Sequence, residues 1–265
     1  MRILVTGATG MLGRAVVSDL LANGHTVAAM SRRVRRWPGV EPVLADLTEG
    51  TGLEAAVEGA QAIVHLASAP YQRGYTDEVE VLGTQKLLTA AEAAGVKHVV
   101  YTSIVGADLV PWGYFGTKVR AETIVRASPV PWSILRSTQF HDFVDQAVTK
   151  MSRMPLMVSD RGVVGQPIDV RDVAERVTHR LVEGPSTEIE ECGGPEILGF
   201  DQVLRQWQEV RGVHKPILHL RIPGKLGKGF RNGGATTNER TGGITWKQYL
   251  REKYRHATGR TTDES

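Results

Sequence analysis

Cysteine is almost absent from this chain: Cys192 is the only one in 265 residues. A lone thiol excludes an internal disulfide and a cysteine-built zinc cage, and it agrees with a reducing compartment. Long hydrophobic runs are missing too. The longest apolar stretches, AIVHLASA and HVVYTSIVGA, fall far short of the roughly 20 residues that a bilayer-spanning helix needs. The opening MRILVTGATG has neither the apolar h-region nor the small-residue cleavage site of a secretory leader. A cytoplasmic protein with no membrane partner is therefore expected. No His, Asp or Glu cluster has metal-ligand spacing and no GxSxG element occurs, so no metal site and no serine-hydrolase nucleophile are expected.

Net charge is small, +3, but it is unevenly spread. Residues 211–260 hold twelve basic side chains against Glu239 and Glu252, which leaves the rest of the chain acidic. A basic stripe can be a nucleic-acid footprint. Here aromatic interleaving is thin and no binding motif accompanies it, so the stripe reads as a solvated face or the rim of an anionic-cofactor site, with no nucleic-acid partner.

What is present is a rhythm. RILVT (2–6) reads as a short strand ending in glycines, followed by an apolar helical pattern through Met11, Val16, Leu20 and Leu21 that stops at Asn23-Gly24. Strands are expected near residues 25–30, 42–45, 61–66, 97–103 and 131–136. Helices fall between them near 53–58, at 114–127, and along a stretch carrying Val79, Leu82, Leu87, Leu88 and Ala91 on one side, with Gly95 as its stop. Strands separated by helices of this length need parallel crossovers, so the fold class is α/β, a doubly wound parallel sheet. After Arg136 the rhythm breaks into a methionine- and aromatic-rich stretch, then resumes in a helix around 168–184. The expected organisation is a cofactor domain at 1–136 and 168–184, a smaller substrate-facing lobe at 137–167 and 185–255, and a flexible tail at 256–265.

Gly7, Gly10 and Gly13 fall at intervals of three between the first strand and the first helix. Gly7 suits the tight turn, Gly10 lets backbone approach a pyrophosphate, and Gly13 lets helix pack on sheet, while the helix N-terminus offers N–H groups to an anion. The predicted strand before and helix after supply the context that this dinucleotide-binding motif requires. The second strand ends in Met30-Ser31-Arg32-Arg33, without the acid that would hold a ribose 2′-hydroxyl. Guanidinium forks and a hydroxyl suit a 2′-phosphate instead, so NADP(H) is the expected cofactor. Arg32 leads and Arg33 follows; Arg35 and Arg36 read as solvated. Asp46 either accepts from the adenine amino group or holds a surface turn.

These residues resemble the short-chain dehydrogenase/reductase superfamily, and more narrowly an atypical, NmrA-like member close to the extended, sugar-epimerase-like branch. The resemblance runs through TGATGMLG, HLAS (65–68), LGTQKLLTAA (82–91), HVVYTSIVG (98–106), YFGTK (114–118), PWSILRSTQFHDF (131–143), IDVRDVAE (168–175) and TWKQYL (245–250). It implies a Rossmann domain whose cofactor contacts include Thr9, Met11, Leu12, Leu47, Leu66, Ala67 and Ser68, with Lys118 toward the nicotinamide ribose.

Carbonyl reduction needs a proton donor beside the hydride. Tyr114 and Lys118 stand four apart on a predicted helix and share a face; an ammonium there would stabilise a phenolate. Ser103, ending the fifth strand, would orient the substrate oxygen, and the trio resembles the family's Ser, Tyr and Lys. Three features depart from it, one being Ala62 in place of an acid often seen before the HLA segment. The Ser103–Tyr114 interval is short and carries Pro111, Trp112 and Gly113, and Glu80 stands where extended relatives place a proton-relay Asn. Gln139, Phe140 and His141 follow the sixth strand and are expected at the substrate pocket; ordinary packing of the lobe is the alternative. His65 reads as a core histidine, and Asp169 and Asp172 as capping and charge-pairing residues. The function expected is an NADP(H)-dependent oxidoreductase acting on a small carbonyl compound or quinone. The alternatives are a non-catalytic NADP-binding sensor with a protein partner and, third, a nucleotide-sugar epimerase; substrate identity and oligomeric state stay open.

Overall fold

The computed structural model describes residues 1–33, 35–70, 72 and 74–258. Successive side chains of a strand point to opposite faces, and β1 (Arg2–Thr6) shows the consequence. Ile3 and Val5 enter one apolar layer and Leu4 the other, all fully buried. A strand buried on both faces belongs inside a parallel sheet. Accordingly β1 lies between β2 (Thr26–Ser31) and β4 (Ala62–His65), with β3 (Val40–Leu44) outside β2, and β5 (His98–Ile104) then β6 (Trp132–Ser137) beyond β4. All these pairings are parallel.

One face is covered by α1 (Met11–Ala22) and α7 (Val170–Glu183), whose Val16, Leu20, Val173 and Val177 meet Ile3, Val5, Val64 and Val100. The other is covered by α2 (Leu53–Val57), α4 (Thr84–Ala93) and α5 (Gly113–Ala127). This is the doubly wound α/β sheet expected from the sequence. The seventh strand was not expected in it. β9 (Ile189–Cys192) pairs parallel with β6, so part of the stretch assigned to the lobe at 185–255 completes the main sheet. Only four residues long, with just Cys192 fully buried, it carries too little apolar alternation to be read as a strand in isolation.

The long helix expected through Val79 and Leu82 is also different. A single turn, α3 (Tyr75–Asp77), leads into a π-helical turn at Glu78–Gly83 and only then into α4. Leu82 faces solvent whereas Glu80 is fully buried. Leu82 stands five residues before Leu87, about 140° away around a helix of 3.6 residues per turn, so the two do not share a face. The π turn breaks the α-helical period before Leu87 and carries Glu80 inside.

The remaining elements are α6 (His141–Met151), β7 (Met157–Ser159), β8 (Val164–Gly165), β10 (Leu198–Gly199), α8 (Phe200–Arg211), β11 (Ile217–His219), α9 (Gly224–Arg231) and α10 (Trp246–Thr258). Most of them build a second apolar centre, while β8 and α9 lie outside it. Val148, Met157, Leu204, Trp207, Trp246 and Leu250 form its core. Residues 256–258 of the expected tail belong to α10, which runs to Thr258; residues 259–265 lie outside the described residues. Part of the basic stripe is neutralised within the fold, through Arg231–Asp160 (2.6 Å), Lys247–Glu209 (2.7 Å) and Lys253–Asp145 (2.9 Å). Among the described residues no helix is long and apolar enough to cross a membrane.

Candidate functional site

The turn between β1 and α1 works only with glycine. Gly7 has φ +65°, and a Cβ there would fall 2.7 Å from the Ala67 nitrogen. A Cβ on Gly13 would fall 2.2 Å from the Gly7 carbonyl oxygen, so Gly13 is what lets α1 close on the turn. α1 starts at Met11 with Gly10 as its cap and, among the described residues, no side-chain bond at that cap. Its first N–H groups and the helix dipole make a cradle for a phosphate anion. Leu12 sends its side chain into the core and offers the cradle only backbone, whereas the Met11 side chain is exposed.

A cleft opens beside this turn, along the carboxyl ends of β1, β2 and β4. Gly7 and Thr9 form one wall, Ser31 and Arg32 another, and Asp46, Leu47, Ala67 and Ser68 line the remainder. Gly13 is buried behind this wall, Leu66 is half-buried, and Gly10 is exposed at the turn outside the cleft lining. Arg32 lies over the ring of Tyr75, 5.8 Å from guanidinium carbon to ring centroid, and donates to the Tyr75 hydroxyl across the cleft. Arg33 and Arg35 join Thr9, Ser31 and Arg32 around an adjoining outer pocket, and Ser31 Oγ donates to the Arg33 carbonyl at 2.6 Å. Asp46 does hold a turn: its Oδ1 accepts from Thr48 N and Thr48 Oγ1, both at 2.7 Å. Burial pushes that carboxyl up, but these bonds and those after them leave it below its ordinary value. The glycine cradle, the flanking arginines and the small residues Ala67 and Ser68 fit a dinucleotide, phosphate groups first.

Behind the cleft, His65 is buried between two threonines. Its Nδ1 lies 2.7 Å from Thr6 Oγ1 and its Nε2 2.9 Å from Thr84 Oγ1. Thr6 Oγ1 already accepts from Leu66 N and Ala67 N, so it donates its own proton to Nδ1. The imidazole proton then sits on Nε2 and is given to Thr84, which donates to the Glu80 carbonyl at 2.6 Å. Burial, and then the Lys118 charge, pull His65 down to about 4. It is the core histidine expected, fixing the glycine turn to the π turn.

At the far end of the cleft the structure brings Tyr114 and Lys118 together through a residue the sequence reading had treated only as a departure. Lys118 Nζ lies 3.0 Å from Glu80 Oε2, and the Tyr114 hydroxyl donates to Glu80 Oε1 at 3.1 Å. Lys118 also donates to the Tyr101 hydroxyl (3.2 Å) and the Thr102 carbonyl (3.1 Å). An ammonium has three N–H bonds, and all three are used here, so in this arrangement none is left for the nicotinamide ribose. Burial pulls the Lys118 amine down, but Glu80 and Tyr101 outweigh it and the net direction is up. Glu80 is pushed up by burial and brought below its ordinary value chiefly by Lys118. Tyr101, stacked behind them, is held above its usual value, first by burial.

Tyr114 reaches the cleft despite the short loop before it. Its hydroxyl lies 2.6 Å from the hydroxyl of Ser68, a cleft-lining residue. Phe115 and Val110 anchor that loop, packed by Leu226 and Phe230 of α9. Ser103 is not joined to the pair: its Oγ is buried with no hydrogen-bond partner among the described residues. The pocket expected at 139–141 is corrected in part. His141 opens α6 fully buried, its ring 5.0 Å from Tyr249 and 5.6 Å from Trp246, so it packs the second core and cannot line an open site. Phe140 is pinned by a bridge to Ile168 and packs against the α1/α7 layer. Gln139 remains half-buried after β6. Asp169 caps α7 through Arg171 N at 2.9 Å, and Asp172 accepts from Gly243 N and Ile244 N, as expected of structural carboxylates. Tyr75 and Tyr101 were missed; no spacing links them to Arg32 or Glu80, because only the fold brings them near.

Comparison with known proteins agrees with this fold. An uncharacterized protein of Mycobacterium tuberculosis is 31% identical over 160 residues, 59% of this chain and 17% of that protein. The 2-alkyl-3-oxoalkanoate reductase of Stenotrophomonas maltophilia is 33% identical over 155 residues, 48% of this chain and 46% of that enzyme. The chain thus spans less than half the length of these curated relatives. In structure, the NADPH-dependent quinone oxidoreductase QOR2 of Escherichia coli, complexed with NADPH, superposes with a TM-score of 0.79 at 18% identity, over 95% of this chain and 99% of that one; it shares the fold. The family described as NAD(P)H-binding matches residues 7–183, most of the main sheet and the whole glycine cradle, and the chain belongs to that family.

Proposed function

We propose that this protein is an NADP(H)-dependent oxidoreductase that reduces a small carbonyl compound or quinone. The observation that carries the reading is the Tyr114 hydroxyl, 2.6 Å from Ser68 at the cleft and held on the helix that also presents Lys118. The cofactor bound in the cleft supplies the hydride. The chain's own residues do the rest. The glycine turn and the α1 N-terminus hold the pyrophosphate, and Arg32, Arg33 and Ser31 hold a 2′-phosphate for which no competing acid stands at the end of β2. Tyr114 gives the proton to the substrate oxygen. Gln139 borders the substrate side, and residues 138–167 together with 194–258 form the lobe over it.

A second reading, a cofactor-binding sensor without turnover, draws on two observations: all three Lys118 N–H bonds are engaged by the protein, and Ser103 is unlinked to Tyr114. One experiment separates the two. NADPH and NADH are titrated into the purified protein, and absorbance of the reduced nicotinamide is then followed against quinones, aldehydes and ketones. The oxidoreductase reading expects tighter NADPH than NADH binding and substrate-dependent oxidation. Tight binding with no oxidation across the panel transfers the conclusion to the sensor.

A further inference from the structure

Glu80 is a carboxylate with no solvent exposure placed between two groups expected to cooperate directly. On one oxygen it holds the Lys118 ammonium, 3.0 Å away, and the Tyr101 hydroxyl, 3.3 Å away. On the other it accepts the Tyr114 hydroxyl proton at 3.1 Å. The π turn that carries it is a type of helix irregularity found disproportionately at functional sites, and Gly83 lets that turn lie against Leu47, where a Cβ would come within 2.9 Å.

We propose that Glu80 is a positioning residue that keeps Tyr114 in its protonated, proton-donating form, which biases the site toward reduction rather than alcohol oxidation. The inference rests on the oxidoreductase reading for its catalytic meaning. An ammonium standing alone beside a tyrosine favours the phenolate; an ammonium neutralised by a carboxylate that also accepts the phenol's proton does the opposite. Among the described residues the charged and titratable groups facing Glu80 are few. They are His65 from β4, Tyr101 from β5, and Tyr114 and Lys118 from α5, with the Asp77–Arg120 pair farther out. His65 is neutral, so the centre holds one anion and one cation.

The proton inventory closes within the chain and water. In reduction the Tyr114 O–H bond breaks and its proton bonds to the substrate oxygen, onto which the carbonyl π pair moves as the hydride reaches carbon. A hydroxyl has one proton to give; Tyr114 gives its own to Glu80 at rest, and the Ser68 hydroxyl, 2.6 Å from that of Tyr114, also hydrogen-bonds to the Glu80 carboxylate. Ser68 is exposed and returns a proton from water to the phenolate after the transfer.

The test is a phenolate absorbance titration of the protein without cofactor, with Tyr114→Phe as the blank that isolates the Tyr114 signal. In the wild-type protein no Tyr114 phenolate is expected below about pH 10, the ordinary tyrosine value. In Glu80→Gln, which keeps the side-chain shape and removes the charge, the Tyr114 signal is expected at a pH lower by roughly one unit or more. A Tyr114 phenolate in the wild-type protein at neutral pH overturns the proposal even where Glu80→Gln fails to fold, and so does an unshifted titration in a folded variant. Because this readout needs neither cofactor nor substrate, it is separable from the oxidation assay: an inactive protein with the expected titration refutes the reductase reading alone, and an active one with an unshifted titration refutes the role of Glu80 alone.

Discussion

Lys118 Nζ and Glu80 Oε2 form an ion pair 3.0 Å long in the interior, with side chains 6% and 0% exposed. Removing one partner of such a pair leaves an uncompensated buried charge, which costs about 3–5 kcal/mol, whereas replacing both by apolar or neutral groups of similar volume is far less damaging. Lys118→Met is therefore expected to lower unfolding stability by about that amount, and Lys118→Met with Glu80→Gln to recover most of it. Urea unfolding of the three proteins checks this, and a double variant no better than the single one removes the pairing argument.

His65 and His98 are both buried and both drawn down to about 4, chiefly by burial. The folded values lie below the unfolded ones, so each histidine contributes stability that is complete above about pH 6.5 and is lost as pH falls toward 4. Stability is expected to decline across that window, and His65→Gln to flatten the decline by about one proton. Unfolding midpoints measured from pH 4 to pH 7 give the slope; an equal slope in the variant sinks the assignment.

Two glycines in helices should respond oppositely to alanine. At Gly13 the new Cβ would lie 2.2 Å from the Gly7 carbonyl oxygen, where backbone must shift. Overpacking of that kind costs about 1–3 kcal/mol, and dinucleotide binding should weaken with it. At Gly116 in α5 a Cβ meets nothing within 4 Å, and alanine there should stabilise by about 0.5–1 kcal/mol. Thermal melts with cofactor titrations on both variants read the contrast.

Arg32 and Arg33 flank the outer pocket at the end of β2. Hydrogen bonds to charged groups contribute about 1.5–3 kcal/mol each. Arg32→Ala with Arg33→Ala is therefore expected to weaken NADPH binding by tenfold or more and NADH binding little. Calorimetric titration with both nucleotides decides it, and equal losses withdraw the NADP(H) preference.

On the oxidoreductase reading, Tyr114→Phe should depress turnover while leaving NADPH affinity nearly unchanged, since the ring stays and only the hydroxyl goes. Undiminished turnover in a stopped-flow or steady-state assay assigns the proton to water or to the substrate.

The sequence by itself determined the local features whose cause is local. RILVT read as a short strand, and Gly7, Gly10 and Gly13 as a turn into a helix, because residue type and backbone freedom are properties of consecutive residues. The βα alternation gave the sheet, and the arginines after Met30 were visible as a stretch without an acid. Only the tertiary structure decided what depends on residues far apart in the chain. β9 joins β6 across 51 residues, counted from Ser137 to Ile189, and carries too short an apolar pattern to announce itself. His141, placed after a strand end where a pocket is common, is instead captured by Trp246 and Tyr249. Glu80 in the sequence is an acid in place of an amide. Folding buries it against Tyr101, Tyr114 and Lys118, and a charge taken out of water acquires its function from the partners that make its burial possible.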